Sequence, residues 1–164
     1  MVMKVPSAVL NTTPWIALSL CEKTGLLNDL YEEVFIPSAV REEILAGGKT
    51  QIGVQELKQA IWLRIEEIQD PSKVLLLHEL DQGEAEVILL AQEKKVTEVI
   101  LDERLARMQA RIAGVQVVGT LGLLLRGKKT GIVRKVRPMI EKILQGGVHI
   151  HQNIVEAVLR EAGE

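Results

Sequence analysis

The stretch from Asp81 to Arg107, DQGEAEVILLAQEKKVTEVILDERLAR, constrains the fold more than any other, because a helical pattern, a β-branched run and a second helical pattern follow in close succession. Asp81 predicts an N-cap and places Glu84 in the first turn of a helix whose run Val87, Ile88, Leu89, Leu90 and Ala91 predicts that it is largely covered. Lys94 and Lys95 suit the last turn, where cations meet the negative end of the helix. Val99, Ile100 and Leu101 then read as a buried strand that stops at Asp102. A helix of about eleven residues and a strand of about five with its loop each span roughly 16 Å. The chain therefore doubles back, and Glu84 and Asp102 meet at one edge. In an open α/β sheet, ligands bind in the crevice beyond the carboxyl ends of the strands.

The rest of the chain repeats this alternation. Val5 to Leu10 predicts a first strand, and Asn11-Thr12-Thr13-Pro14 predicts a threonine cap for a helix over Trp15 to Cys21 that Gly25 ends. Leu26, Leu27, Leu30 and Tyr31 predict a short second helix. Glu33 to Ile36 predicts a second strand, and the helix after Pro37-Ser38 carries Val40, Glu42, Glu43, Ile44 and Leu45 up to Gly47-Gly48. Val54 to Ile61 reads as helix, and Leu63, Ile65 and Glu67 alternate as a strand would. Glu103 to Ala113 predicts a basic amphipathic helix closed by Gly114, followed by a strand over Val115 to Val118 and a helix over Leu121 to Arg126. From Val133 the pattern is helical, with Val136, Ile140, Ile143 and Leu144 on one side and then Ile154, Val155, Val158 and Leu159. The expected architecture is a three-layer α/β/α sandwich around a mainly parallel sheet of four to five strands. One domain is expected over 1–164, with 133–164 as a helical extension that packs on the sheet domain or on a second protomer.

Composition narrows the setting. With 164 residues and 47% hydrophobic side chains the chain can fill one core, and with so few aromatics that core must be aliphatic. No apolar run nears the roughly 20 residues of a membrane span, and the N-terminus lacks a signal-peptide layout, so a soluble, cytoplasmic protein is expected. The lone Cys21 excludes an intrachain disulfide and a cysteine zinc cage, and is expected as a small buried residue. Residues 104–142 hold ten Lys and Arg against Glu141 alone, so +9 lies there and −11 elsewhere within a net charge of −2. Such a basic face fits a polyanion, or simply a solvated helix surface.

In a parallel sheet the strand ends at Asn11, Asp102 and Val118 share an edge, joined by Glu84 and, from the helix after strand two, Glu43. Converging oxygen ligands suit Mg²⁺ or Mn²⁺, which keep waters for substrate phosphates. Such an ion generates a nucleophilic water and stabilises charge on a phosphodiester, so the chemistry in view is metal-assisted hydrolysis of nucleic acid. Each acid also has an ordinary reading: Asp81 with Glu84 as a capping box, Asp102 as a cap for the helix that follows, and Glu42 or Glu43 as solvated helix residues. His149 and His151 alternate as a strand pair would, but no third ligand accompanies them.

At these residues the sequence resembles the PIN-domain nucleases, the family that includes VapC-type toxins, and is most similar to a bacterial and archaeal PIN-like branch. The resemblance rests on Asn11-Thr12-Thr13-Pro14-Trp15-Ile16-Ala17-Leu18, Ile36-Pro37-Ser38-Ala39-Val40-Arg41-Glu42-Glu43-Ile44, Gly83-Glu84-Ala85-Glu86 and Leu101-Asp102-Glu103-Arg104. Gly119-Thr120-Leu121-Gly122 and Glu161-Ala162-Gly163-Glu164 extend it over nearly the whole chain. The resemblance implies an α/β/α sandwich, a divalent metal held by acids, and endonucleolytic cleavage of RNA, often as a toxin silenced by a small antitoxin. It makes Glu43, Glu84 and Asp102 the metal-site acids, with Glu42 the less favoured occupant of the second motif, and gives Thr12 or Thr13 the orientation of a metal-bound water. Asn11 stands where the family's first acid belongs, so it offers a carbonyl oxygen without charge. Two unit charges 4 Å apart attract by about 4 kcal/mol at an effective dielectric of 20, and a divalent ion about doubles that before desolvation offsets most of it. Losing that carboxylate is expected to weaken metal binding by about tenfold or more.

Two readings follow: an Mg²⁺- or Mn²⁺-dependent ribonuclease of toxin type with impaired activity, or a non-catalytic module that binds RNA or protein through basic helices. Arg104, Arg107 and Arg111 are the candidate nucleic-acid contacts, and apolar positions on the tail helices predict a homodimer. A nucleotide-binding domain is disfavoured, since no G-x-G-x-x-G or Walker-type loop follows any strand.

Overall fold

Strand β1 (Val5–Leu10) is the centre on which the rest is laid, and its last three residues are fully buried. In a computed structural model that describes residues 3–164, β1 pairs in parallel with β2 (Tyr31–Pro37) on one side and β4 (Glu98–Ile100) on the other. β3 (Leu63–Glu66) extends the sheet beyond β2, and β5 (Gln116–Val118) extends it beyond β4. The order among the described residues is β3-β2-β1-β4-β5, all parallel. Parallel strands need crossovers, which the helices supply, and helices on both faces bury the sheet.

Helices α1 (Thr12–Leu20), α2 (Gly25–Leu30), α3 (Ser38–Ala46) and α4 (Val54–Gln59) belong to the half that runs outward from β1 to β3. A 3₁₀ segment, Pro71–Leu77, leads to α5 (Gln82–Lys94), which lies against β1, β2 and β4. Helices α6 (Arg104–Ile112) and α7 (Thr120–Lys129) flank β5, and α8 (Arg137–Gln145) and α9 (Gln152–Glu161) complete the chain. The result is a three-layer α/β/α sandwich with an aliphatic core.

α5 forms as its sequence predicts. Asp81 accepts from the Glu84 N–H and Glu84 returns the bond to the Asp81 N–H, which completes a capping box. Lys95 closes the helix in the left-handed region, and from Gly83 to Ala91 every residue is buried. Cys21 is buried as a small apolar residue, and Leu63–Glu66 is a strand as expected, at the sheet's edge, with Leu63 buried but Ile65 exposed.

Several local expectations are corrected. The threonine cap is absent: Asn11 is the N-cap residue of α1, its side chain makes no capping bond, and Thr12 is already helical. Gly25 does not end the first helix but opens α2; Glu22, at φ 57°, makes the reversal instead. Tyr31 belongs to β2, where it pairs with Val5 of β1, and its hydroxyl donates to Glu98 at the start of β4. His149 and His151 lie in the loop between α8 and α9, and His151 caps α9 by accepting from the Asn153 N–H.

The apolar side of the tail helices faces this chain's own core: Val136, Ile140, Ile143, Val155 and Val158 join the same cluster as the strands. Leu144 and Ile154, by contrast, stay at the surface, 37% and 52% exposed. Glu164 pins this end, accepting from Lys128 Nζ at 2.8 Å and from the Val136 and Arg137 N–H groups. Burial raises its pKa, but these donors outweigh burial and hold it down to about 2.

Candidate active site

The chain steps outward in opposite directions from β1 and from β4, so the crevice between their carboxyl ends is the topological switch point. Asn11 follows β1 and Asp102 lies just beyond β4. The Asn11 N–H donates to the Ile100 carbonyl at 3.1 Å, which carries the β1–β4 pairing one residue past the strand. Its side chain is buried, and Oδ1 has no hydrogen-bond partner among the described residues. An unsatisfied buried acceptor costs about 1–3 kcal/mol, so this oxygen is held ready at the expense of stability.

Glu43 reaches this edge from α3. Its Oε2 accepts from Thr12 Oγ1 at 2.9 Å, tying it to the first turn of α1. The same oxygen lies 2.9 Å from where a Cβ on Gly83 would stand, so Gly83 is glycine for space, letting a carboxylate approach the positive end of α5. Glu42 makes no such bond, which favours Glu43 as the acid of this motif. Glu84 is 8% exposed. Burial raises its carboxyl pKa, the Asp81 N–H opposes, and Asp81, Glu103 and Glu43 push it further up. A carboxylate buried among carboxylates is the environment a cation relieves.

Asp102 does not cap the helix that follows it; Glu103 does, by accepting from the Leu105 N–H at 3.3 Å. Asp102 instead reaches across to α7, where Oδ1 accepts from the Thr120 N–H at 2.8 Å and Oδ2 from Thr120 Oγ1 at 2.6 Å. Gly119 leaves room for this: a Cβ there would stand 2.8 Å from Arg107 Nη1 and 3.0 Å from Asp102 Oδ1. Arg107 Nη1 donates to the Leu101 carbonyl at 2.8 Å, with burial and then Arg111 lowering its pKa against Asp102.

The structure thus brings the predicted residues to one edge, but not into one ready cage. Glu43 lines a cleft of about 380 Å³ with Asp81 and Gly83, whereas Asp102 and Thr13 line a larger one of about 620 Å³ on the other side. Asn11, at the end of the strand between β2 and β4, stands between the two sides. Among the described residues, no three His, Cys, Asp or Glu side chains gather to hold a metal ion. The donors still fit a hard cation in chemistry: all are oxygens, Asn11 Oδ1 is unpartnered, and the bonds to Thr12 and Thr120 leave carboxylate lone pairs free while fixing orientation.

Sequence reasoning missed two polar groups here. Thr120 holds Asp102 from 18 residues away, and Glu86 is buried with Oε1 on the Ala39 N–H at the start of α3 and Oε2 on Gln82 Nε2. The basic stretch also divides. Arg126 pairs with Glu98, Lys128 with Glu164, Lys129 with Glu161 and Lys142 with Glu22, so these cations are neutralised in the fold. Arg104, Arg107 and Arg111, like Arg134 and Lys135, have no ion-pair partner among the described residues.

A family model for the PIN domain matches residues 7–164. The chain belongs to the PIN-domain family. PIN domains are typically nucleases, bind nucleic acids and generally use divalent metals. No curated protein matches the chain. Among solved structures, this PIN domain is similar to a PilT N-terminus domain protein, SSO1118, from the archaeon Sulfolobus solfataricus P2, at 18% identity and a TM-score of 0.48, covering 89% of this chain and 98% of that one. Among the described residues no helix is long and apolar enough to cross a membrane.

Proposed function

We propose that this PIN domain is an Mg²⁺- or Mn²⁺-dependent endoribonuclease whose metal is held by Glu43, Glu84, Asp102 and the Asn11 carbonyl. The observation that carries this reading is the buried, unpartnered Asn11 Oδ1 at the switch point, set between an acid tied to Thr12 and an acid tied to Thr120. The ion supplies a nucleophilic water and charge stabilisation at the phosphodiester when bound. The chain's own residues supply position: Thr12 orients Glu43, Thr120 orients Asp102, and Thr13 faces the larger cleft where an incoming strand meets Asp102. Arg104, Arg107 and Arg111 draw the polyanion to that cleft.

Asn11 replaces one negative charge by a dipole, so cleavage is slow in this chain. RNA cleavage assayed with Mn²⁺ and with EDTA is expected to be weak and metal-dependent, to rise in Asn11→Asp and to vanish in Asp102→Asn. Equal, negligible cleavage by all three proteins would reject the reading. The placement of Glu43 and Asp102 in two separate clefts favours a second one, a PIN module that binds RNA or protein without cutting. RNA binding that survives both EDTA and Glu84→Gln, with no cleavage by Asn11→Asp, identifies it. A toxin role under a small antitoxin, in the cytoplasm and as a homodimer, is part of the first reading. On the tail helices, exposed Leu144 and Ile154 are apolar positions on which a dimer would rest, and sedimentation showing only monomer removes it.

A further inference from the structure

The larger cleft has two unlike walls. One is the face of α6 that carries Arg104, Arg107 and Arg111 at i, i+3 and i+7, one stripe of a helix. The other is the segment ahead of α9 and its first turn, with His149, Ile150 and Ile154. At about 620 Å³ it is within the range of pockets that enclose a small ligand. Asp102, Gly119 and Thr120 also line it, so whatever fills it lies next to one of the candidate metal acids. The arginines lack ion-pair partners among the described residues, and the opposite wall offers aliphatic surface and an exposed imidazole.

We propose that this cleft is a nucleobase pocket: it takes one unstacked base of a single strand against His149, Ile150 and Ile154 while the adjoining phosphates lie on Arg107 and Arg111. A base and its phosphates match the two walls, apolar on one side and cationic on the other. Unstacked bases are held on imidazole and guanidinium planes in this way, whereas a duplex keeps its bases stacked and cannot present one here. The tail segment thereby becomes the specificity wall of the site, a role beyond metal binding. The inference rests on the nuclease reading only for the identity of the strand as RNA.

Fluorescence anisotropy in EDTA tests the pocket without cleavage, using a labelled mixed-sequence RNA 12-mer, its duplex, and an abasic strand of equal phosphate number. The single strand is expected to bind about tenfold tighter than either control. His149→Ala and Ile154→Gln, both on exposed positions, should together weaken it about five- to tenfold without changing the salt slope. Arg111→Ala should weaken all three probes and flatten the salt slope by about 0.7. Equal binding of the abasic strand, or no effect of the His149 and Ile154 changes, overturns the proposal in favour of simple electrostatic capture. Tight binding of an acidic peptide that displaces RNA, with the base preference absent, assigns the cleft to a protein partner instead. If base preference holds but no variant cleaves, the pocket stands and the nuclease reading falls. If cleavage occurs and pocket variants bind like the parent, the reverse is true.

Discussion

Strand β4 has a carboxylate near each end, and the fold treats the two in opposite ways. Glu98, at its start, is 6% exposed and fully answered: Arg126 pairs with it at 2.5 Å and 3.3 Å, and the Tyr31 hydroxyl donates to it. Burial and then Glu98 push the Tyr31 hydroxyl well above its ordinary pKa, so it stays a donor. Two residues past the other end, Asp102 accepts hydrogen bonds from Thr120 alone among the described residues; Arg107 stands beside it but donates to the Leu101 carbonyl, and nearby lie an orphaned amide oxygen at Asn11 and a buried Glu84 surrounded by acids. A closed network of charges is structural, and an under-neutralised one leaves room for a ligand. The contrast separates the two ends more sharply than a count of acids does.

The contrast can be broken at four points. Arg126→Leu strands Glu98 in the interior, and removing one partner of a buried pair costs about 3–5 kcal/mol. Arg126 is itself 31% exposed, so about 3 kcal/mol is the better figure, or roughly 6–12 °C in Tm. Melting curves with and without Mn²⁺ should show the same loss; recovery on adding metal would erase the distinction between the ends. Asn11→Asp acts oppositely. Placing a carboxylate at this buried position without a cation should lower stability by about 1–3 kcal/mol. Mn²⁺ should then raise the Tm more than it does in the parent, by about 3–5 °C for a tenfold gain in affinity. Identical metal-induced shifts in both proteins would deny Asn11 a place at the site.

Thr120→Val removes the hydroxyl bond to Asp102 and should lower the urea unfolding free energy by about 1 kcal/mol, with Thr120→Ser retaining it. Loss in both would make Thr120 a packing residue. The smallest effect belongs to Glu84→Gln. The folded-state pKa of Glu84 is raised, so its ionisation costs folding stability as pH rises from the unfolded carboxylate range through the folded pKa. The variant should match the parent at the acid end of that range and exceed it at pH 7 in the absence of metal. A parent that gains on the variant over that interval would reverse the sign of the argument.

What the sequence reveals divides along the same line. The capping box of α5, the buried strands and the parallel architecture are legible because their signals are local, spaced by two to four residues. Glu84 and Asp102 are legible because each sits at the end of its element, whereas Glu43 lies in the middle of α3 and is placed by the helix that follows β2. The bonds that tell the two ends apart are not local. Tyr31 and Glu98 are 67 residues apart, Arg126 and Glu98 28, and Asp102 and Thr120 18, so each depends on strand register that no window displays. The basic segment misleads for the same reason: its charge is real, but much of it is consumed by carboxylates distant in sequence.

Gly83 and Gly119 each hold an acid by being narrow, the first admitting Glu43 and the second admitting Asp102 beside Arg107. Neither has the left-handed backbone that would make a larger residue strained. A single methyl at either position is therefore a wedge that shifts one carboxylate and leaves the polypeptide path intact. Gly83→Ala and Gly119→Ala would detune the two halves of the crevice separately.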